Sequence, residues 1–232
     1  MNIELTHEEL KGLRVQVLKV HDLLQDQYGK QEREGKKNPL DELILTILSQ
    51  NTSRAHAQES FDKLWKKYKG WEALMNAPSL EISKTIQNGG LHHTKAIRMR
   101  RILKRIYKDR GDLSLDFLRE KDQNDAMKYL ISLKGLGPRT ASHILLYSLN
   151  QPVMPVDTHV TRVSKRLGWV WDGANREVIQ QVMNRATPRY LILSLYSQLM
   201  KHGQVTCKLK APRCMGCVIR NDCEYYKNRD KR

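Results

Sequence analysis

The chain has 232 residues, of which 40% are hydrophobic, so it can form one large domain or two small ones around a substantial core. Its formal net charge of +16 favours a polyanionic partner such as nucleic acid, although a merely basic soluble protein is the simpler alternative. The sequence contains no apolar run long enough for a membrane helix and no apolar signal-peptide core at its start. We therefore expect a cytoplasmic protein whose four cysteines do not form two disulfides.

Helical patterns dominate the first third of the chain. Apolar residues recur at steps of three and four over residues 7–28, which predicts an amphipathic helix. Residues 29–39 form a polar connection, and Pro39 suits the first turn of a largely buried helix over 40–50. A third helix is predicted over 53–68. Its apolar residues are Ala57, Phe61, Leu64, Trp65 and Tyr68.

The next segments continue this pattern. Residues 76–90 predict a turn, a short helix and a glycine stop. The helix predicted over 94–110 has one apolar face and one basic face, which is typical of a surface helix with solvated charges. The apolar face comprises Ala96, Ile97, Met99, Ile102, Leu103 and Ile106. The basic face comprises Lys95, Arg98, Arg101, Arg105 and Lys108.

The second half of the chain also has a helical pattern. Residues 151–159 contain two prolines and interrupt the regular pattern. No alternating strand pattern and no tandem repeat is found, so the predicted fold class is all-α. Further helices are predicted over 122–133, 140–150, 158–167, 174–186 and 189–202.

A glycine turn, Gly135-Leu136-Gly137, separates two of these helices. Glycine permits positive φ and the close approach of another backbone, and amide groups at the start of the next helix carry partial positive charge. Together these features can bind a phosphate without reading base sequence. An ordinary helix–helix turn has the same glycines, so the turn alone leaves both interpretations open. Leu136 is predicted to hold the two helices together.

Asp157 precedes a helix in the segment VDTH (156–159), where its simplest role is to cap the helix N-terminus. However, LxGLGxxTA (133–141) followed by VDTH resembles the helix-hairpin-helix DNA glycosylase superfamily, specifically its endonuclease III branch. LSQNT (48–52) and GGLHHTKA (89–96) add to the resemblance, which extends from about residue 40 to 223.

The resemblance implies a two-domain all-α fold with a DNA cleft between the domains. A six-helix domain with the hairpin would span 40–151, and an iron–sulfur cluster domain would combine 1–39 with 152–232. The implied partner is double-stranded DNA with a damaged or mismatched base, bound by a monomer that associates with the nucleoid. The implied function is base excision repair, in which a flipped base is removed.

The resemblance also implies roles for individual residues. The catalytic residues would be Asp157, as the carboxylate, and Arg139 on the opposite side of the cleft, where it would contact a DNA phosphate or the extruded nucleotide. Gln50 and Asn51 on one wedge loop, and Leu91 and His92 on another, would fill the gap that the flipped base leaves. Gln50 and Asn51 could instead cap a helix, and Leu91 could belong to the core. His143 and His159 flank the site, and core or phosphate-contacting roles are as compatible with them as proton transfer. The residues implied to bind DNA are Gln50, Asn51, Leu91, His92, Gly135, Leu136, Gly137 and Thr140.

All four cysteines fall within 17 residues, in the spacing C-x6-C-x2-C-x5-C, and so many thiolates in one loop indicate one metal centre. Zinc is a common ion for four cysteines, although zinc ribbons usually have two C-x2-C pairs. The uneven spacing resembles the loop of endonuclease III-like enzymes that binds a 4Fe–4S cluster. The ligands implied by this resemblance are Cys207, Cys214, Cys217 and Cys223. The cations Lys208, Lys210 and Arg213 of the same loop would face the DNA backbone.

Arg139 departs from the pattern of bifunctional members, in which a lysine at this position attacks the sugar and forms a Schiff base. A guanidinium stays protonated and is a poor nucleophile, which predicts a monofunctional enzyme that uses water and Asp157. Lys134 could substitute, but the hairpin is expected to direct it away from the cleft. The alternatives are a bifunctional glycosylase/AP lyase using another amine and a non-catalytic binder of abasic or distorted DNA. Oxidised pyrimidines, alkylated purines and mismatched bases all stay open as substrates.

Overall fold

The computed structural model describes residues 5–30, 37–87 and 90–229, and within these residues the regular secondary structure is helical, with no strand. The predicted all-α class is therefore confirmed. Residues 31–36 of the predicted polar connection and Gly89 of GGLHHTKA lie outside the described residues. In the part of the chain that is described, no helix has the length and apolar character needed to cross a bilayer.

Helices make up most of the described residues. In chain order they are α1 (His7–Tyr28), α2 (Pro39–Leu48), α3 (Arg54–Tyr68), α4 (Trp71–Asn76), α5 (Ser79–Thr85), α6 (His92–Arg110), α7 (Gln123–Ser132), α8 (Pro138–Tyr147), α9 (Thr158–Leu167), α10 (Arg176–Ala186), α11 (Ile192–Val205) and α12 (Glu224–Lys227). Short 3-10 turns occur at Asp116–Arg119, Arg189–Leu191 and Arg220–Asp222.

The chain divides into two compact units. One comprises Gly35–Gln151, and the other combines Met1–Glu34 with Pro152–Arg232. In the first unit α2 packs against α3, α6 and α8, and α7 packs against α8. The α2 side chains Leu43, Ile44 and Ile47 have no exposed surface, because a helix that is apolar on most sides is stable only when surrounded by other helices.

In the second unit α9 packs against α10, α11 and α12, while α1 packs against α10 and α11. The N-terminus of α1 is closed by a capping box, in which Thr6 and Glu9 satisfy each other's backbone amides. Buried Val17, Val20 and Leu24 lie on the face of α1 that the three- and four-residue spacing predicts.

Several details of the predicted elements were wrong. Trp65 was assigned to the apolar face of its helix but is 45% exposed. On α6, Lys95 was expected in solvent but is buried at 3% exposure, whereas Ile97, assigned to the apolar face, is 37% exposed. Two short helices, α4 and α12, were not predicted, because six and four residues are too few to establish a helical period.

Candidate active site and metal centre

Asp157 is the N-cap of α9 and is almost completely buried, with 1% of its surface exposed. Its Oδ1 accepts hydrogen bonds from the backbone N–H groups of His159, at 2.8 Å, and Val160, at 2.9 Å. The N-cap interpretation is therefore confirmed. Two amides at a helix N-terminus stabilise negative charge on this oxygen, so the capping role supports a chemical role for the carboxylate.

The glycine turn connects α7 to α8 and has the two properties expected of a phosphate site. Gly135 has a φ of +105°, in the region that favours glycine. Leu136 is 5% exposed, in agreement with its predicted packing role. Gly137 is the N-cap of α8, and no described side chain caps the helix there. The start of α8 therefore presents backbone amides.

Two charged residues at the turn are accessible to solvent, whereas Thr140 is buried. Arg139, the second residue of α8, is exposed, and Lys134 is exposed on the turn itself. Thr140 was predicted to contact DNA, but its side chain is 9% exposed. Any contact to a phosphate there would therefore use the backbone amide of Thr140 more readily than its hydroxyl group.

Gln50 and Asn51 lie on the loop between α2 and α3, which we call the Gln50 loop (residues 49–53). Ser49 is the C-cap of α2 and Ser53 is the N-cap of α3, so the alternative that Gln50 or Asn51 caps a helix is wrong. Asn51 is exposed and has a φ of 53°, a left-handed conformation that asparagine adopts more readily than most residues.

The second predicted wedge loop, which contains Leu91 and His92, lies beside the Gln50 loop. Leu91 is 57% exposed with a φ of 61°, so the alternative that it is a core residue is wrong. A methyl group at Gly90 would lie 3.5 Å from the carbonyl oxygen of Asn51, which shows how closely the two segments approach. His92 is half-buried, and its Nδ1 forms a 2.8 Å hydrogen bond with the hydroxyl group of Ser83.

Two cations of α6 hold these segments together, although the sequence pattern places both on a solvated face. The Lys95 ammonium group donates to the carbonyl oxygen of Leu48 and to the hydroxyl oxygen of Thr52, each at 2.7 Å. Burial lowers the pKa of Lys95. The guanidinium group of Arg98 donates to Oε1 of Gln50. The only sequence signal for Lys95 was its place within GGLHHTKA.

His143 on α8 lies in a strongly cationic environment. Burial, and then the charges of Arg139, Lys37 and Arg54, lower the pKa of His143 to about 4. The carboxylate Oε1 of Glu42, 3.4 Å from Nδ1, opposes this shift but does not outweigh it. The imidazole is therefore neutral at physiological pH. Its ring stacks on Tyr147 with a centroid separation of 4.4 Å.

The four cysteines line a single cavity in the second unit and form no disulfide. Burial raises the pKa of the Cys217 thiol to about 11 and also raises that of Cys223. Such thiols become good ligands only when a metal compensates the thiolate charge. Within residues 5–30, 37–87 and 90–229, no group of three or more His, Cys, Asp or Glu side chains is arranged to hold a metal ion.

Arginines of α9 connect this helix to the cysteine loop. Arg166 donates to Sγ of Cys207 at 3.2 Å and to the carbonyl oxygen of Lys208 at 2.8 Å. Arg162 donates to the carbonyl oxygen of Cys207 at 2.8 Å. The helix that Asp157 begins is therefore fastened near its other end to the candidate metal centre.

The all-α architecture, the helix start after a glycine turn and the buried aspartate that caps α9 together define the helix-hairpin-helix class. The chain belongs to the HhH-GPD superfamily of base excision DNA repair proteins, whose family model matches residues 44–189. The buried Asp157, the glycine turn and most of the Gly35–Gln151 unit lie within the matched residues.

Within this superfamily, the chain is similar to endonuclease III and related DNA glycosylases. The chain is 36% identical to "Putative DNA glycosylase At3g47830" of Arabidopsis thaliana over 74% of its own length, and it spans 58% of that relative. It is 30% identical to endonuclease III of Thermotoga maritima, with 84% of this chain and 86% of the relative covered. A solved structure of a trapped endonuclease III–DNA covalent intermediate has the same fold, with a TM-score of 0.76 at 23% identity over 98% of this chain and 100% of that one.

Proposed function

We propose that the protein is a monofunctional DNA N-glycosylase of base excision repair, with Asp157 as its catalytic carboxylate. The observation that carries this proposal is the buried Asp157 carboxylate, fixed by two backbone amides, in a chain that has Arg139 after its glycine turn. The resemblance to the superfamily implies a lysine at this position in bifunctional members. The fixed carboxylate can serve a reaction that develops positive charge, and the arginine removes the amine that a Schiff base needs.

The reaction is hydrolysis of the bond between a base and C1′ of its deoxyribose. As that bond breaks, the base leaves with the bonding electron pair and the sugar gains oxocarbenium character. The Asp157 carboxylate stabilises this positive charge and accepts a proton from water, whose oxygen forms the new bond to C1′. A neutral base takes up a proton as it leaves, whereas a cationic alkylated base leaves as a neutral molecule and the proton taken from water passes to solvent. In both cases the products are a free base and an intact abasic strand.

The low exposure of Asp157 places a condition on this mechanism. With 1% of the residue accessible, a deoxyribose can meet the carboxylate only after the surface above it opens. The flipped nucleotide would then replace whatever covers the carboxylate and would exclude bulk water. In such an environment a fixed negative charge acts more strongly on the transition state than it would in water.

We infer that the preferred lesion is a base that leaves readily. Alkylated purines carry positive charge and ask less of a catalyst that has no amine nucleophile. Oxidised pyrimidines are a second candidate. A comparison of base release from oxidised, alkylated, deaminated and mismatched duplexes distinguishes these substrates.

We further infer that Cys207, Cys214, Cys217 and Cys223 hold a 4Fe–4S cluster. All four cysteines line one cavity, and an all-thiolate set of donors suits iron–sulfur chemistry. The cluster would neutralise the buried thiolates and stabilise the fold of the second unit. Brown protein with visible charge-transfer absorbance and stoichiometric iron and sulfide is the expected result, whereas colourless protein with zinc would contradict the inference.

The substitution Asp157→Asn tests the proposed catalytic role with little disturbance of the helix. Asparagine is as good an N-cap as aspartate, so the change removes the negative charge and keeps the cap. We expect the single-turnover rate of base release to fall by about 100-fold to 1,000-fold while binding to an abasic duplex persists.

Asp122→Asn is a matched control, because Asp122 caps α7 through the same pair of backbone contacts and lies on the surface. This variant should retain the wild-type rate. Wild-type protein that releases no base from any lesion would identify a DNA-binding protein and overturn the proposal, as would a fully active Asp157→Asn variant.

A further inference from the structure

Arg98 on α6 contacts two segments that the resemblance implies to bind DNA, the Gln50 loop and the glycine turn. Its guanidinium group donates to Oε1 of Gln50. Its stem lies against the glycine turn, since a methyl group at Gly135 would be 2.9 Å from Nε and 3.0 Å from Cδ of Arg98. All three residues belong to the Gly35–Gln151 unit.

The two glycines of the turn are therefore not equivalent. Gly135 has a φ of +105°, and any Cβ there would collide with the Arg98 side chain. Gly137 has no positive φ, and a methyl group there would meet nothing within 4 Å. Gly135 accommodates Arg98, whereas the open space around Gly137 keeps the start of α8 accessible to a phosphate.

The residues on both sides of Gln50 are held by Lys95, another residue of α6. Lys95, buried one turn before Arg98, donates to Leu48 and Thr52, which flank Gln50 in sequence. The backbone of the loop is thus held by Lys95, and the contact from Arg98 orients the Gln50 side chain itself. A planar guanidinium group with several donors is well suited to hold an amide oxygen in one direction.

We propose that Arg98 is a positioning residue that couples the glycine turn to the Gln50 side chain. Binding of a DNA phosphate at the turn would then place Gln50 where it fills the gap left by the flipped nucleotide. This inference rests on the proposed base-flipping function. It adds a specific requirement: loss of Arg98 impairs removal of a stacked, paired base far more than removal of the same base when it is already unpaired.

The test compares two substrates in single-turnover reactions with the full chain. The target base is placed either in a normal pair or opposite an abasic analogue, where flipping costs little. Arg98→Met keeps the apolar stem and removes the donors. We expect this variant to lose about tenfold or more in rate on the paired substrate, as a misplaced positioning group does, and less than about threefold on the unpaired one.

Arg101→Met is the matched control, since Arg101 lies on the same helix, carries the same charge and is exposed. It should leave the ratio of the two rates unchanged. Equal losses of Arg98→Met on both substrates, or no loss on either, would overturn the proposal. Thermal unfolding of each variant separates an effect on flipping from a general loss of fold.

The glycines provide an independent test of the same coupling. Gly135→Ala should reproduce the selective defect on the paired substrate, because its methyl group displaces Arg98. Gly137→Ala should weaken duplex binding without changing the ratio of the two rates. A selective defect on the paired substrate in Gly137→Ala, or an unchanged ratio of rates in Gly135→Ala, would contradict the proposed roles of the two glycines.

A fluorescence measurement distinguishes failure of this inference from failure of the proposed function. 2-Aminopurine beside a paired target nucleotide, whose 2′-fluoro sugar resists oxocarbenium formation, reports local unstacking without base release. If wild-type protein raises the fluorescence and Arg98→Met does not, the coupling holds even for a protein that cleaves no glycosidic bond. An equal rise with both proteins would refute the coupling and leave the catalytic proposal intact.

Discussion

The pKa of His143 is set by the burial of its ring and by the charged side chains around it. Its ring lies among Arg139, Lys37 and Arg54, and burial together with these cations lowers its pKa to about 4, although Glu42 lies 3.4 Å away. Because the ordinary histidine pKa is about 6.5, the unfolded chain takes up a proton at a pH where the folded chain does not. The stability contributed by neutral His143 is therefore complete above about pH 6.5 and decreases as the pH falls toward 4.

This shift predicts a pH-dependent difference between wild type and His143→Gln. Between about pH 7.5 and 5.5, the free energy of unfolding of the wild type should fall by about 1 kcal/mol more than that of the variant. Denaturant titrations at the two pH values measure this difference, and titrating groups that do not contact His143 cancel in the comparison. Parallel pH dependence of the two proteins would contradict the assigned environment.

Some residues of the candidate site can be predicted from the sequence, whereas others cannot. Asp157 and the glycine turn were identified from local motifs, because capping and tight turns depend on neighbours in the chain. Lys95 and Arg98 were assigned to a solvated face, because their partners at Leu48, Thr52 and Gln50 are distant in sequence. A buried cation that donates to loop atoms produces no repeating pattern of apolar residues in the sequence, so periodicity does not reveal it.

At the scale of elements, α9 connects the candidate catalytic group to the candidate metal centre. Asp157 caps its N-terminus, and Arg166, nine residues later, donates to Sγ of Cys207 and to carbonyl groups of the cysteine loop. A straight helix places these two positions roughly 14 Å apart. Metal binding in the loop should therefore stabilise the helix that orients Asp157.

We predict that Arg166→Gln weakens retention of the metal. Groups that donate hydrogen bonds to metal ligands typically contribute about tenfold to 100-fold in metal affinity. Iron should be lost to a chelator correspondingly faster, as followed by the decay of visible absorbance. Arg176→Gln, a change at an exposed arginine that begins α10, serves as the control. Equal rates of iron loss would show that Arg166 does not support the centre.

Helix bounds followed the sequence closely where capping or proline marks the end. The predicted 7–28 and 158–167 match α1 and α9, because Thr6 and Asp157 cap them and Gly29 and Gly168 end them. The last long helix was predicted to begin at 189, but α11 begins at Ile192, since Arg189–Leu191 form a 3-10 turn after Pro188. Turns of 3-10 helix are frequent at helix ends, and periodicity does not distinguish them from the helix that follows.

At the scale of the whole molecule, the net charge of +16 should dominate encounters with DNA. Each neutralised phosphate releases counterions, so five contacts would raise the Kd for undamaged duplex by about 500-fold between about 50 and 200 mM salt. Anisotropy titrations over this range test the prediction. The rate of base release at saturating DNA should change little, because Asp157 is buried. A Kd that rises less than about threefold would contradict an electrostatic mode of binding.

The central claim is that Asp157 directs water to the sugar and that no amine of the protein attacks it. Borohydride trapping on a duplex from which the enzyme releases its base tests this claim most directly, because borohydride reduces a Schiff base to a stable covalent adduct. We expect wild-type protein to leave an intact abasic strand and to form no adduct, while Arg139→Lys forms adduct and cleaves the strand. A covalent adduct with wild-type protein, at a rate matching that of base release, would contradict the account.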